Sequence, residues 1–358
     1  MSDYHQPLCT LDVHLDAVAR NWLYLKKKLK NGTDCAAVVK ADGYGLGALE
    51  VSRALYAQGC RHFFVAHVDE AVAVRAVVQD AAIYVLNGPW GMSAADFIRQ
   101  GFIPVLNSLE DIVYWKGQAA PCVLHLDTGM NRLGLSEKDV QSLSRHDLEE
   151  MNIRYVMSHL ACADEQQHAK NPEQLEKFKR LSEALQRPFR LSLANSGGIF
   201  LGEAYHFDLV RPGCALYGIN PAGASQNSMQ NTITLKGRVL QTRDIPAGET
   251  VGYGARYKIA SPVRSATVSI GYADGYLRSL TGTGAVFIHG QRCAVIGRVS
   301  MDSIIVDVTA CPQPVTCGDW AEIIGPHQSI DDVAAQAGTI GYEILTSIGK
   351  RYKRTYTG

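Results

Sequence analysis

The feature that most constrains the fold is a set of eight short segments rich in branched and aromatic residues, most of them separated by helix-compatible stretches. Strands that alternate with helices predict a parallel sheet, and eight such units in roughly 200 residues fit a closed (β/α)8 barrel. An open, doubly wound sheet is the alternative fold. The segments cover residues 36–40, 62–67, 83–87, 102–108, 123–129, 153–160, 189–196 and 207–213.

Nearly every one of these segments ends on a polar or charged residue. In a (β/α)8 barrel the active site lies at the C-terminal ends of the strands, so we expect these side chains to converge on one mouth. Asn107 is an exception, because the Ser108 that follows it, with acidic residues at 110 and 111, is typical of a helix start. The terminal residues are Lys40, His67, Asn87, Asn107, Asp127, His159, Ser196 and Arg211.

Beyond about residue 225 the chain changes to closely spaced turn residues between short strands, which predicts a mostly β second domain. We therefore predict a barrel domain over residues 1–225 and a mostly β domain over 226–358, joined by a linker at 221–230. Roughly the first ten residues are candidates to pack on the second domain instead.

Composition limits the partners of the chain. Its 35 basic and 35 acidic residues give a formal net charge of +0, so no overall field favours nucleic acid or anionic lipid, and a small-molecule partner is expected. The N-terminus lacks a basic region followed by an apolar one, and no apolar run approaches the roughly 20 residues of a membrane span. Nine scattered cysteines without a CxxC pair argue against a metal site or a disulfide framework. A cytoplasmic protein is predicted.

The stretch VVKADGYGLG, residues 38–47, places Lys40 between a predicted strand and a glycine-rich loop. The loop does not complete GxGxxG and contains no GKS or GKT, so it supports a dinucleotide-binding dehydrogenase only weakly. A buried amine is excluded from a protein interior unless another group pairs with it or a reaction uses it. From this segment alone, Lys40 is either an ion-paired barrel residue or a functional group.

The same stretch resembles the motif of alanine racemases, in which the lysine binds pyridoxal 5'-phosphate (PLP) covalently. Further stretches similar to that family follow in the same order as in the family, between residues 38 and 302, and the predicted two-domain organisation matches the family's barrel and β domain. They are LDTGMNRLG (126–134), SHLACAD (158–164), ANSGG (194–198), DLVRPGCALYG (208–218), VGYGARY (251–257), IGYADGYLR (270–278) and GRVSMD (297–302).

The resemblance implies a PLP-dependent racemase of amino acids, with Lys40 and Tyr253 as its two catalytic groups. Inverting an α-carbon requires proton removal on one face and proton delivery on the other, so two acid–base groups must flank the substrate. In the family this tyrosine comes from the neighbouring subunit, which implies a homodimer with shared active sites. The expected reaction is the interconversion of L- and D-alanine, for peptidoglycan synthesis or for catabolism.

The resemblance also implies roles for the residues around the cofactor. His159 corresponds to the histidine that contacts the catalytic tyrosine, and Arg211 to the arginine at the pyridine nitrogen. Because arginine keeps its proton, it would donate a hydrogen bond there and leave that nitrogen unprotonated. The remaining implied contacts are Tyr44, Ser196, Gly213 and Cys214 with the phosphate, Arg132 and the Met301 backbone with the substrate carboxylate, and Tyr272 and Asp302 at the substrate entrance.

Two positions depart from the family pattern. His125 occupies a position where many members have a carbamylated lysine, so another group, such as chloride or a carboxylate, must orient Arg132. Lys350 stands where some members have a tyrosine, and Tyr352 is the candidate to replace it. These departures leave a serine racemase or a racemase of broader specificity as the main alternative. A non-catalytic PLP carrier and a PLP decarboxylase are less favoured, because the racemase motifs of both domains are present.

Overall fold

The computed structural model describes residues 7–223 and 226–358 of the chain. It divides into two compact units, of which one comprises Val18–Gln230 and the other comprises the chain up to Ala17 together with Asn231–Gly358. The predicted domain boundary at residue 225 lies outside the described residues, as do residues 1–6 of the segment predicted to pack on the second domain. The first strand, β1 (Cys9–His14), belongs to the unit formed by the C-terminal part of the chain.

The unit over Val18–Gln230, called here the barrel unit, alternates strands and helices. Short 3-10 helices follow its last strands at Gly197–Leu201, Glu203–Tyr205 and Cys214–Tyr217. Its elements, in chain order, are α1 (Leu15–Lys27), β2 (Asp34–Cys35), β3 (Ala37–Val38), α2 (Lys40–Tyr44), α3 (Ala48–Ala57), β4 (His62–Val65), α4 (Val68–Arg75), β5 (Ala82–Val85), α5 (Ala94–Gln100), β6 (Phe102–Leu106), α6 (Leu109–Trp115), β7 (Pro121–His125), α7 (Glu137–Ser142), α8 (Arg145–Glu149), β8 (Asn152–Met157), α9 (Lys170–Ala184), β9 (Leu191–Ser192) and β10 (Leu209–Val210).

These strands form a closed parallel barrel. Strands β3 to β9 pair in sequence order as a seven-stranded sheet, and β10 pairs in parallel with β2. Because β2 and β3 are two parts of one strand on either side of Ala36, the β10 pairing joins the first strand position to the last. The Arg211 amide donates to the Ala194 carbonyl (2.9 Å), which links β10 to the strand before it. The predicted (β/α)8 barrel is confirmed, and the open-sheet alternative is wrong.

The other unit, called here the strand-rich unit, confirms the predicted mostly β domain. It includes 3-10 helices at Tyr253–Ala255, Tyr272–Asp274 and Arg278–Leu280. After β1, its elements are β11 (Ile233–Ile245), β12 (Thr250–Val251), β13 (Tyr257–Lys258), β14 (Val263–Val268), β15 (Ala285–Ile288), β16 (Gln291–Ile296), β17 (Ile304–Asp307), β18 (Trp320–Ile324), α10 (Ile330–Ala337), α11 (Gly341–Thr346) and β19 (Lys353–Thr357).

The sheet of the strand-rich unit explains why its chain is discontinuous. Eight strands follow the order β14, β17, β16, β15, β18, β11, β1, β19. Because β14 also pairs with β11, the first six strands in this order form a closed ring. Strand β1 pairs antiparallel with β11 and parallel with β19. These backbone hydrogen bonds hold the N-terminal strand in this unit. Along the described residues, no helix combines the length and the apolar character that crossing a bilayer would require.

Candidate active site

A left-handed turn follows Lys40 at the end of the first barrel strand. Within α2, Ala41, Asp42, Gly43 and Tyr44 all have positive φ, between 53° and 61°. This conformation costs roughly 1–2 kcal/mol for each residue that is not glycine, so the surroundings must stabilise it. Glycine is favoured at position 43, because an added Cβ would lie only 3.1 Å from the Ala48 amide nitrogen. The turn fixes the backbone directly beside the lysine.

The Lys40 amine lies in a half-buried, positively charged setting. Burial lowers its pKa below the usual value for lysine, and the charge of Arg132 lowers it further, while Glu70 acts in the opposite direction. A lowered pKa increases the fraction of neutral amine near neutral pH. Only the neutral amine can attack a carbonyl carbon or accept a proton, so the environment favours both reactions.

Arg211, at the end of β10, is a buried and immobilised cation. Its guanidinium donates to the Ser158 carbonyl (2.6 Å), to the Leu193 carbonyl (3.4 Å) and to the Ser192 hydroxyl. Burial lowers its pKa to about 10, so the side chain keeps its positive charge at neutral pH. A buried charge is tolerated only with such partners. Arg211 can therefore present a fixed hydrogen-bond donor to a ligand, as predicted for a ring nitrogen.

His125, at the end of β7, is held in its neutral form. Its Nδ1 lies 2.8 Å from the Asn107 side-chain oxygen. The Asn107 amide nitrogen donates to two backbone carbonyls, Leu86 and Val105, which identifies its oxygen as the acceptor and His125 Nδ1 as the donor. Burial, reinforced by the nearby charge of Arg211, lowers the pKa of His125 to about 3. The helix start predicted beside Asn107 is confirmed, since the Ser108 hydroxyl caps α6.

Electrostatic coupling joins the predicted residues at the C-terminal ends of the strands. Burial lowers the pKa of His159 well below its usual value, and the charges of Arg211, Arg132 and Lys40 lower it further. Arg132 is exposed and, among the residues that the structure describes, no hydrogen bond or ion pair holds its guanidinium. The structure therefore brings Lys40, His159, Arg132 and Arg211 into one electrostatic environment and leaves the Arg132 side chain accessible to an anion.

Asp127 organises the loop that carries Arg132. One of its carboxylate oxygens accepts hydrogen bonds from the amides of Gly129 (2.9 Å), Met130 (3.0 Å) and Asn131 (3.2 Å). These three bonds, with one from the Asn131 amide to the other oxygen (3.2 Å), tie the carboxylate to the backbone of its own loop. Asp127 therefore supports the site by positioning the segment that leads to Arg132.

A small cradle forms between the ends of the last two barrel strands. The Ser196 hydroxyl accepts from the amides of Gly213 (2.8 Å) and Ala215 (3.3 Å), and the 3-10 helix that starts at Cys214 follows directly. A Cβ on Gly213 would overlap the Tyr44 hydroxyl, so glycine is needed for this close approach. Hydroxyl groups and the start of a helix are suited to an anion, so the predicted phosphate-binding residues fit the PLP phosphate.

The predicted residues of the strand-rich unit are largely exposed. Tyr253 opens a 3-10 helix and is 71% exposed, while Tyr272 and Met301 are 43% and 52% exposed. The backbone joins the last two, since the Tyr272 amide donates to the Ser300 carbonyl (3.1 Å) and the Ala273 amide to the Met301 carbonyl (3.1 Å). The structure brings together Tyr272, Met301 and Asp302 as one surface of this unit.

Sequence reasoning missed the group that holds this surface, which is Arg351. Its guanidinium binds both carboxylate oxygens of the buried Asp274 (2.8 Å each) and one oxygen of Asp302 (2.6 Å). Tyr352 is buried, and its hydroxyl donates to the Asp274 carbonyl (3.0 Å), so it supports the fold of this unit, while Lys350 is exposed. The sequence does place Arg351 directly beside Lys350, one of the two positions that depart from the family pattern. However, nothing in the local sequence indicates that Asp274 and Asp302 would be the partners of Arg351.

Comparisons with known proteins identify the family. The family model for the N-terminal domain of alanine racemase matches residues 13–221, and the model for the C-terminal domain matches residues 232–356. An alanine racemase of Rickettsia canadensis is 46% identical and covers 98% of this chain and 99% of its own length. A catabolic alanine racemase of Agrobacterium fabrum is also 46% identical, with 97% of this chain and 91% of that protein covered.

Solved structures share the fold, and one of them contains the cofactor. The crystal structure of alanine racemase from Bartonella henselae, which contains covalently bound pyridoxal phosphate, superposes with a TM-score of 0.95 at 41% identity, covering 98% of this chain and 100% of that one. The biosynthetic alanine racemase of Pseudomonas aeruginosa gives a TM-score of 0.91 at 34% identity, covering 99% of this chain and 100% of that one. Together with a half-buried lysine at a barrel mouth and a cradle suited to phosphate, these matches show that the chain belongs to the alanine racemase family of PLP-dependent isomerases.

Proposed function

We propose that this chain interconverts L- and D-alanine by a two-base mechanism in which Lys40 serves one face of the substrate and Tyr253 of the partner subunit serves the other. The observation that carries the proposal is the Lys40 amine, which is held beside a rigid turn and has a pKa lowered by burial and by Arg132. Family membership supports the choice of substrate and cofactor.

The residues of the barrel unit are suited to holding PLP. Lys40 would attach it covalently, Arg211 would donate a hydrogen bond to its ring nitrogen, and the cradle of Tyr44, Ser196 and Gly213 with Cys214 would bind its phosphate. When bound, PLP withdraws electrons from the α-carbon of an amino acid and makes its α-proton acidic. Because Arg211 keeps its own proton, it supplies positive charge without transferring a proton to the ring.

Proton transfer then requires a group on each face of the α-carbon. The neutral amine of Lys40 accepts or returns a proton on its own face. On the opposite face the phenol of Tyr253 has this role, and a hydrogen bond donated by the neutral ring of His159 to the phenol oxygen would favour removal of the phenolic proton. Arg132, with an accessible guanidinium, and the Met301 backbone would bind the substrate carboxylate, and Tyr272 and Asp302 would line the entrance.

The proposed partner is a second copy of this chain. A tyrosine that is 71% exposed in its own chain makes little contribution to that chain's packing, which is consistent with a function at an interface. Sharing sites between subunits makes a homodimer the proposed active form, and its proposed location is the cytoplasm. The D-alanine produced would supply peptidoglycan synthesis or be consumed in catabolism, and the relatives include both a catabolic and a biosynthetic racemase.

The first test follows α-proton exchange. Purified protein with PLP and L-alanine in deuterated water should yield deuterated D-alanine, and Lys40→Ala should abolish this product. The same assay across L-amino acids separates an alanine racemase from a serine racemase or one of broader specificity. Binding of PLP without exchange on any amino acid would contradict the proposal and support a PLP carrier.

Subunit complementation tests the shared site. Lys40→Ala chains should be inactive alone, and Tyr253→Phe chains should retain about 1% of wild-type activity or less. If the chains are denatured together and refolded as an equal mixture, about half the dimers contain both variants, and each of these has one intact site, so about a quarter of wild-type activity should return. Recovery of no activity would contradict a tyrosine supplied by the partner subunit.

A further inference from the structure

Glu70 connects the turn after Lys40 to the neighbouring strand. One of its carboxylate oxygens accepts a hydrogen bond from the Ala41 amide (2.6 Å). The other accepts from the amides of Ala66 (2.7 Å) and His67 (3.2 Å), where β4 ends and α4 begins. The catalytic residues assigned by family resemblance do not include Glu70.

The contact to Ala41 stabilises a strained segment. The Ala41 amide belongs to the residue directly after Lys40 and to the first position with a left-handed backbone. Strain of this kind persists only where surrounding groups hold the chain, and hydrogen bonds to a charged carboxylate are among the strongest available. Asp42 adds a second contact, since its side chain accepts from the Ala48 amide (2.9 Å), but this contact is local to the turn.

Glu70 also acts on the Lys40 amine through its charge. The charged or titratable groups coupled to Lys40 are Arg132, His159 and Glu70. Among them Glu70 is the anion, and it opposes the effect of Arg132 on the amine. Its removal would leave the amine beside cationic and neutral groups only.

We infer that Glu70 is a positioning residue that holds the left-handed turn in place and so fixes the Lys40 amine for attachment of PLP and for proton transfer. The inference rests on the proposed role of Lys40. It assigns to one carboxylate both the geometry of the turn and part of the electrostatic setting of the amine, although that carboxylate would not touch the reacting atoms.

The test uses the full chain and compares three variants with wild type. Glu70→Gln retains the size of the side chain but has one acceptor oxygen for contacts on two sides. Glu70→Asp retains the charge but shortens the reach. Asp139→Asn is the matched control, because Asp139 is the third residue of α7, as Glu70 is of α4. Asp139 accepts a hydrogen bond from the Ser136 amide (2.9 Å) but does not contact the turn after Lys40.

Two readouts do not depend on racemase activity. The first is hydrogen exchange at the Ala41 amide, which should become roughly tenfold faster in both Glu70 variants, as expected for the loss of one hydrogen bond to a charged group. The second is acetylation of the Lys40 amine in chain freed of PLP, followed by mass spectrometry across pH. Below the midpoint of the profile, acetylation should become roughly threefold faster or more in Glu70→Gln and change less in Glu70→Asp.

The outcomes separate this inference from the proposed function. If Glu70→Gln matches wild type and Asp139→Asn in both readouts, the positioning role is wrong even when the enzyme racemises alanine. If both readouts change as expected while wild type shows no α-proton exchange, the positioning role stands and the proposed function fails. Should Glu70→Gln not fold, the exchange rate at Ala41 in Glu70→Asp decides the inference alone.

Discussion

The two units of the chain differ in how far their predicted site residues are buried and hydrogen-bonded. In the barrel unit, Arg211 and Ser196 are each 4% exposed and have several hydrogen-bond partners. In the strand-rich unit, Tyr253 is 71% exposed and Met301 is 52% exposed. Buried polar groups must be paired, so the barrel residues are preorganised by the same contacts that stabilise the fold. The exposed residues can be changed with little effect on folding, so their effects on activity can be measured separately.

The largest expected effect is a loss of catalysis without a loss of stability. Tyr253→Phe should lower kcat/KM about 10²- to 10⁴-fold, the usual contribution of an acid–base group. Its free energy of unfolding should change by no more than about 0.5 kcal/mol, because the side chain is exposed. Tyr257→Phe, an exposed tyrosine of the same segment, is the control and should retain activity. Steady-state kinetics and urea unfolding test this; similar kinetics for the two variants would contradict the role of Tyr253.

A change beneath this exposed surface should instead lower the stability of the strand-rich unit. Arg351→Gln removes the charged partner of the buried Asp274 carboxylate, which keeps only the Gly271 amide (2.9 Å) among the described residues, and should destabilise the strand-rich unit by about 2–3 kcal/mol. Asp302→Asn alters the exposed partner of the same arginine and should cost less than about 1 kcal/mol. Urea unfolding measures both values. Equal losses would mean that burial does not determine which contact of Arg351 is important.

Within the barrel unit, Gly213→Ala should lower both the stability of the fold and the affinity for PLP. Gly213 does not have a left-handed backbone, but an alanine Cβ at this position would overlap the Tyr44 hydroxyl. Overpacking of this kind costs about 1–3 kcal/mol, so PLP should bind roughly 10-fold more weakly or worse. Adding Tyr44→Phe removes the overlapping atom, and the stability loss of the double variant should be less than the sum of the two. PLP titration and urea unfolding are carried out on both single variants and the double variant. If the stability losses of the single variants add in the double variant, the predicted clash does not exist.

The smallest expected effect is a dependence of stability on pH that arises in the barrel unit. Folding lowers the pKa of His125 to about 3, so between about pH 6.5 and 3 the unfolded chain binds a proton that the folded chain does not. The free energy of unfolding should therefore fall as the pH falls below about 6.5. His125→Asn should reduce the loss between about pH 7 and pH 5 by about 1–2 kcal/mol, as measured by urea unfolding at both values. An unchanged loss would show that His125 is not the group responsible.

The sequence predicted the repeating strands and the polar residues at their ends because both depend on local patterns. Lys40, His159 and Arg211 each lie at the end of a predicted strand segment, and the topology of a parallel barrel brings such ends together. Glu70 and Arg351 could not be assigned from the sequence. The deciding partners, which are the Ala41 amide for Glu70 and the carboxylates of Asp274 and Asp302 for Arg351, lie in other segments, and no local pattern indicates which segments become neighbours.

What the sequence determined by itself was the barrel, the mostly β second domain and the family motifs that mark the candidate site. The tertiary structure decided that strand β1 belongs to the strand-rich unit, that Lys40 lies beside a left-handed turn held by Glu70, and that Tyr352 is buried whereas Lys350 is exposed. The physical reason is that periodicity and residue type act over a few residues, whereas strand pairing, burial and the pKa values that follow from burial depend on contacts between distant parts of the chain.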